Sequence, residues 1–200
     1  MRFSLATLLI ITAVSAVCIK YWTGASPPSM AQWRQESPPD GSPFLDECYA
    51  YEHFYGKSLR DAELLFQENS MYYYEDLLWM PDECFQFYVV AYCNYLLSDA
   101  SEYDSDGASC FFSTVELQHE AITSGGLGII RKIEAVLDRL ETNQSWYGAS
   151  VEIYGDFRER AAKCRALISR SRFNNVMYTE PRGSFCLQVD RRSPVIVAAR

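Results

Sequence analysis

Histidine is nearly missing from this chain: His53 and His119 are the only two in 200 residues. That scarcity closes most routes to imidazole chemistry. His119-Glu120 lacks the second histidine four residues on that a zinc-protease helix requires, so His119 reads as a surface or capping residue. The chain shows no Ser, His and Asp constellation, no phosphate-cradling glycine motif, no paired-cysteine zinc spacing and no internal repeat. No catalytic residue and no cofactor is expected. Positive charge is as scarce in the middle, where residues 40–120 hold seventeen Asp or Glu against Lys57 and Arg60 alone. A domain of that sign repels phosphate, so nucleic acid is not an expected partner.

Long apolar runs are also few. One covers residues 3–19 behind Arg2, the pattern of a secretory signal or an N-terminal anchor. Val14 and Ala16 permit cleavage after Ala16, whereas Lys20, Tyr21 and Trp22 resemble the interfacial flank of a retained span, the preferred reading. Val17 is too bulky for the position before a lipidated cysteine, which disfavours Cys18 as a lipid site. Residues 1–22 are thus expected to be a signal-anchor or signal peptide. They place the protein in a membrane as a single-pass chain with its domain outside the cytoplasm, or release it by secretion if the signal is cut. Residues 23–43 carry five prolines, Pro27, Pro28, Pro38, Pro39 and Pro43, and read as an extended tether.

What remains suits one globular domain: the chain is 48% hydrophobic and 14% aromatic, enough bulky material for a core. The expected fold is mainly α, a helical domain over residues 44–173 built around a central buried helix at 82–97. From Cys84 to Leu97 only Gln86 and Asn94 are clearly polar, so that helix must be covered on several sides. It is too short to cross a bilayer and its flanks are acidic. Pro81 and Asp82 are expected to start it, with the Asp82 carboxylate as cap. Phe44–Phe54 reads as a first helix, and Ser58 caps a second in which Leu59, Ala62, Leu65 and Phe66 share a face. Tyr72-Tyr73-Tyr74 has strand propensity while Glu75–Leu78 has that of a helix, which leaves Met71–Trp79 open.

Residues 98–109 are expected to form an acidic loop, followed by a helix to Ser124 that opens on a Ser113/Glu116 capping box and breaks at Gly125-Gly126. Leu127–Leu140 is the cleanest amphipathic stretch, its face of Ile129, Ile130, Ile133, Val136, Leu137 and Leu140 meeting the central helix. Tyr147, Ser150, Tyr154, Phe157, Ala161, Cys164 and Ile168 recur at three and four spacings as a seam, with two glycines delaying the helix to about Gly155. Residues 174–200 are a basic tail that forms a short β-hairpin or stays frayed.

Charge is divided between these parts. The acidic middle faces ten Lys or Arg against three acids in residues 157–200. Arg158, Arg160, Lys163, Arg165, Arg170 and Arg172 crowd one helix and its end, where a structural role is the default reading and contact with the acidic middle the next. Glu102, Asp104 and Asp106 alternate before Gly107 as in a calcium loop, but Ser113 stands where the bidentate glutamate belongs, so they are weak metal candidates. With Asp99 they are the candidates for binding a protein partner. Six cysteines follow the leader, Cys48, Cys84, Cys93, Cys110, Cys164 and Cys186. Export would permit disulfides among them, while Cys84, Cys93 and Cys164 also fit as buried apolar residues.

The segments S-L-R-D-A-E (Ser58 to Glu63), D-E-C-F-Q-F-Y-V-V-A-Y (Asp82 to Tyr92) and F-F-S-T-V-E-L-Q-H-E-A-I (Phe111 to Ile122) resemble a bacterial family of small helical domains of unknown function, over about residues 55–140. Phe87, Tyr88 and Ala91 match its pattern, and Val90 stands where that family has proline. The opening M-R-F-S-L-A-T-L-L resembles hydrophobic leaders of bacterial envelope proteins. These resemblances imply a bacterial envelope location and bring no catalytic residues. The expected function is a membrane-anchored, non-catalytic binding or accessory domain. An acidic immunity-like protein that masks a basic toxin, and a hydrolase using clustered carboxylates, are the alternatives.

Overall fold

The computed structural model describes residues 26–33 and 45–179, with side chains through Asn174. The described residues are mainly helical and contain no strand. The order is α1 (Leu45–Phe54), α2 (Leu59–Leu78), α3 (Asp82–Leu97), a single 3-10 turn (Asp99–Ser101), α4 (Ser105–Leu117), α5 (His119–Ser124), α6 (Leu127–Thr142), α7 (Val151–Tyr154) and α8 (Phe157–Thr179). Among them no helix is long and apolar enough to cross a membrane. The expected anchor at 3–19 and the C-terminal residues beyond 179, including the expected hairpin, lie outside the described residues. Helix α8 itself runs past the expected domain limit at 173.

Helix α3 is the axis. Nine of its side chains are buried, including Phe85, Tyr88, Tyr92 and Leu96, with α2, α5 and α6 packed around it. Burying tyrosine requires a partner for each hydroxyl, and backbone carbonyls at helix ends supply most of them. Tyr88 donates to Phe54 O at 2.5 Å and Lys57 O at 3.1 Å, where α1 ends. Tyr92 donates to Gly107 O at 2.5 Å in the first turn of α4, and its ring stacks on Phe66 at 4.6 Å. Tyr147, from the turn before α7, donates to Leu96 O at 2.7 Å, where α3 leaves its carbonyls unpaired. The two polar residues of α3 are spent in the same way. Gln86 donates to Ala121 O and Ser124 Oγ of α5, and Asn94 to Glu63 of α2.

Several starts differ from expectation. Pro81, not Asp82, is the N-cap of α3, with no side-chain cap bond; a proline there loses no hydrogen bond, since its missing N–H would have been an orphan. Residues 105–109 are helix, not loop, because Asp104 caps α4 by accepting from Gly107 N at 2.9 Å. Ser113 and Glu116 therefore lie inside α4 and form no capping box; the break comes at Gln118, after which α5 begins. Met71–Leu78 is helical despite its tyrosines, as burial of Leu77 against the core outweighs strand propensity. Ser58 does cap α2, in a reciprocal box with Asp61 at 3.2 Å each way. The Ser58 hydroxyl, which donates to Asp61 Oδ2 at 2.7 Å, and then the Ser58 N–H hold the Asp61 carboxyl below its ordinary range.

The amphipathic α6 buries Ile130, Ile133, Val136, Leu137 and Leu140 and lies against α3 and α8. The seam on α8 begins at Phe157 and continues through Ala161, Cys164 and Ile168. Tyr147 is buried too, but from the preceding turn. Part of the stretch expected as a tether is docked: Trp33 is buried against Tyr51 at 5.5 Å and Tyr88 at 6.0 Å, and the Cys84 thiol donates to Gln32 O at 3.5 Å. The described cysteines, Cys48, Cys84, Cys93, Cys110 and Cys164, are free thiols, so no disulfide joins them.

Candidate functional site

The acidic candidates meet a second element that periodicity alone does not reveal. Helix α2 is two helical segments joined at Asn69, whose backbone (φ −158°, ψ 87°) is extended. Its side chain restarts the helix by accepting from Tyr72 N at 3.0 Å, as an N-cap does. The break faces the residues that lead into α4. Between them lies a cleft of about 430 Å³. Gln67, Glu68, Asn69 and Met71 form one wall, Ala100, Glu102, Tyr103 and Asp106 the other, with Phe66, Ser70, Tyr95 and Asp104 also lining it.

Each carboxylate has a different standing. Asp104 is committed at both oxygens, Oδ1 to Gly107 N and Oδ2 to the Tyr95 hydroxyl at 2.7 Å. That bond and burial together push the Tyr95 phenol up, burial being the larger cause. Asp106 accepts from the Tyr154 hydroxyl at 2.9 Å while remaining exposed. Glu102 and Glu68 are exposed on opposite walls. Asp99 sits exposed in the 3-10 turn and does not line the cleft. Tyr103 projects at the rim, three-quarters exposed, in the left-handed region at φ 63°. Its N–H donates to Trp146 O at 3.2 Å, which holds a conformation that a non-glycine residue adopts at a cost of about 1 kcal/mol or more.

The structure thus brings Glu102, Asp104 and Asp106 to one cleft, leaves out Asp99, and adds Glu68, Asn69 and Met71 from α2. The missed signal was Asn69-Ser70, a pair of cap-forming residues inside a helical run. Among the described residues no group of three His, Cys, Asp or Glu is placed to hold a metal ion. Two arginines of α8 are directed elsewhere. Arg165 reaches Glu134 at 3.0 Å, Asp138 at 2.6 Å and Glu141 at 2.7 Å, all on α6. Arg160 lies 4.5 Å over the Phe112 ring and donates to Ser109 Oγ, Ser109 O and Tyr154 O. The arrangement defines a helical domain with an acidic, aromatic-rimmed cleft. Comparison with family models, curated proteins and solved structures returns no match.

Proposed function

We propose that this is a non-catalytic binding domain, held at a bacterial envelope membrane by residues 3–19, that captures a basic segment of a protein partner in the cleft beside Asn69. The observation that carries it is the placement of exposed Glu68, Glu102 and Asp106 on facing walls beside Tyr103, while Arg165 is engaged on α6 and Arg160 on Ser109. Opposed carboxylates with an aromatic rim attract and seat Lys or Arg side chains. The immunity-like form of this reading, masking of a basic toxin, uses the same surface. Hydrolysis is less well supported, because the most enclosed carboxylate of the cleft, Asp104, has both oxygens engaged in holding the fold.

The test is titration of the full-length chain with a hexa-lysine and a hexa-arginine peptide at low and high salt. Glu68→Gln, Glu102→Gln and Asp106→Asn combined should weaken capture by about tenfold or more, and salt should weaken it in the wild type. Equal binding by the triple variant would remove the cleft from the function. The anchor is tested separately: deletion of residues 3–19 should move the chain from the membrane pellet to the soluble fraction, and a chain that is soluble without the deletion would overturn that part.

A further inference from the structure

Residues 26–33 lie within the stretch expected as a free tether, yet they are part of the folded domain. Pro28 and Trp33 are buried, and between them Ser29 and Gln32 close a turn. Gln32 N donates to Ser29 O at 3.0 Å, and Ser29 N donates to Gln32 Oε1 at 2.8 Å. The turn delivers the Trp33 ring to Tyr51 and Tyr88, and Tyr51 stacks in turn on Tyr55 at 4.6 Å. What stays outside is uncharged: Ser26, Ser29, Met30, Ala31 and Gln32 are exposed, Met30 by half. No charged residue occurs from Tyr21 to Trp33, whereas the domain that follows is strongly acidic.

We propose that residues 26–33 are a strap that seats the domain on the bilayer, with the Met30 turn and the first turn of α3 toward the lipid and the acidic cleft toward solution. The inference rests on the anchor at residues 3–19 put forward above. Between the end of that span and Ser26 stand only residues 20–25, which reach at most about 25 Å when fully extended. A tether free as far as residue 43 would reach about 80 Å. A domain of this length is about 35–40 Å across, so the short connection cannot pass around it and let the strap side face away. Helix α3 identifies the far end. Cys84, in its first turn, holds the strap through Gln32 O. Leu96, about 18 Å further along the axis, accepts from Tyr147. Tyr95 and Asp104 of the cleft belong to that second end, as does Tyr154 of α7 through its bond to Asp106. An uncharged turn enters the headgroup layer without stripping water from an ion, and exposed Tyr55 is of the kind enriched there. Because α1 carries Asp46, Glu47 and Glu52, the short connection and not lipid charge supplies the attachment.

The experiment places the full-length chain in phosphatidylcholine vesicles that carry a rhodamine-labelled lipid. A fluorescent donor is attached at Met30→Cys or at Ile153→Cys, exposed positions on the strap and on α7, with Cys18, Cys48, Cys110 and Cys186 each replaced by Ser. Energy transfer to the bilayer should be at least about twofold stronger from position 30 than from position 153, since much of the domain's width separates them. Trp33→Ala should abolish the difference. Trp33→Phe should keep it, because among the described residues the indole Nε1 has no hydrogen-bond partner to lose. Inserting about twenty Gly and Ser residues between Ala25 and Ser26 should also abolish it while leaving the docked strap, and so the fold, untouched. Equal transfer from the two positions in the parent chain, or a difference that survives Trp33→Ala or the insertion, would overturn the strap. Vesicle flotation separates this outcome from failure of the anchor. A chain that floats but shows equal transfer loses the strap alone; one that does not float, or that floats without residues 3–19, loses the anchor and the strap with it.

Discussion

A Cβ placed on Gly107 would lie 2.8 Å from Ser70 Cβ, and nearer still to Ser70 Oγ and Asp104 Oδ2. The first turn of α4 and the break in α2 are thus in contact without room for a methyl group. The approach holds Ser70, which lines the acidic cleft, against the start of α4.

Gly107→Ala should therefore destabilise the domain by about 1–3 kcal/mol, the overpacking cost exceeding the helix-propensity gain of up to ~1 kcal/mol. Urea unfolding measures it. Adding Ser70→Gly should recover part of the loss, while an unchanged midpoint for Gly107→Ala alone would show that the contact relaxes freely.

Asp104 and Asp106 should separate sharply although they are two residues apart. Asp104→Ala removes the cap of α4 and the acceptor of a part-buried tyrosine, and should cost about 1–3 kcal/mol. Asp104→Asn keeps an oxygen for the cap and should cost clearly less. Asp106→Asn alters an exposed contact to Tyr154 and should stay within about 0.5 kcal/mol. Thermal unfolding of the three variants ranks them; a costly Asp106→Asn would contradict the division of roles.

Arg165 joins α8 to α6 through three carboxylates, the most exposed being Asp138. Arg165→Met leaves Glu134, Asp138 and Glu141 as like charges on successive turns of α6 without this bridge and should cost about 1–3 kcal/mol, with Asp138 contributing least. Arg165→Lys should restore only part, since one ammonium cannot reproduce the fork. The deficit of Arg165→Met should shrink at high salt, as denaturant titrations in low and high NaCl will show.

Burial pushes the thiols of Cys84, Cys93 and Cys164 up to about 12, and that of Cys110 to about 11. Their folded values lie above the unfolded one, so their contribution to stability is fully present below about pH 9 and is lost as pH rises toward 11–12. In that window the unfolded chain ionises while the folded chain does not, and each thiol should remove about 1.4 kcal/mol per pH unit. Chemical denaturation from pH 7 upward checks the slope. At neutral pH, iodoacetamide should label exposed Cys48 in the native domain and leave Cys84, Cys93 and Cys164 for the unfolded chain; rapid native labelling of Cys93 would sink this reading.

The helical class, the span of α3, the break at Gly125-Gly126 and the buried face of α6 were determined by the sequence itself. Their signal is local: side-chain periodicity and chain-breaking residues act within a few turns. Where two local patterns competed, tertiary structure decided. Ser113 with Glu116 has the spacing of a capping box, but Asp104 starts the helix earlier because its carboxylate is held between Gly107 N and Tyr95. Tyr72–Tyr74 is drawn into helix by the burial of its neighbour Leu77. The acidic loop was legible as charge, yet its partner wall at Glu68–Met71 was not, since nothing within a few residues marks a contact made across 35 positions of chain. Trp33, the hydroxyls of Tyr88 and Tyr92, and the Gly107–Ser70 contact belong to the same kind. Each depends on which helix end meets which side chain, a relation set only when the elements pack.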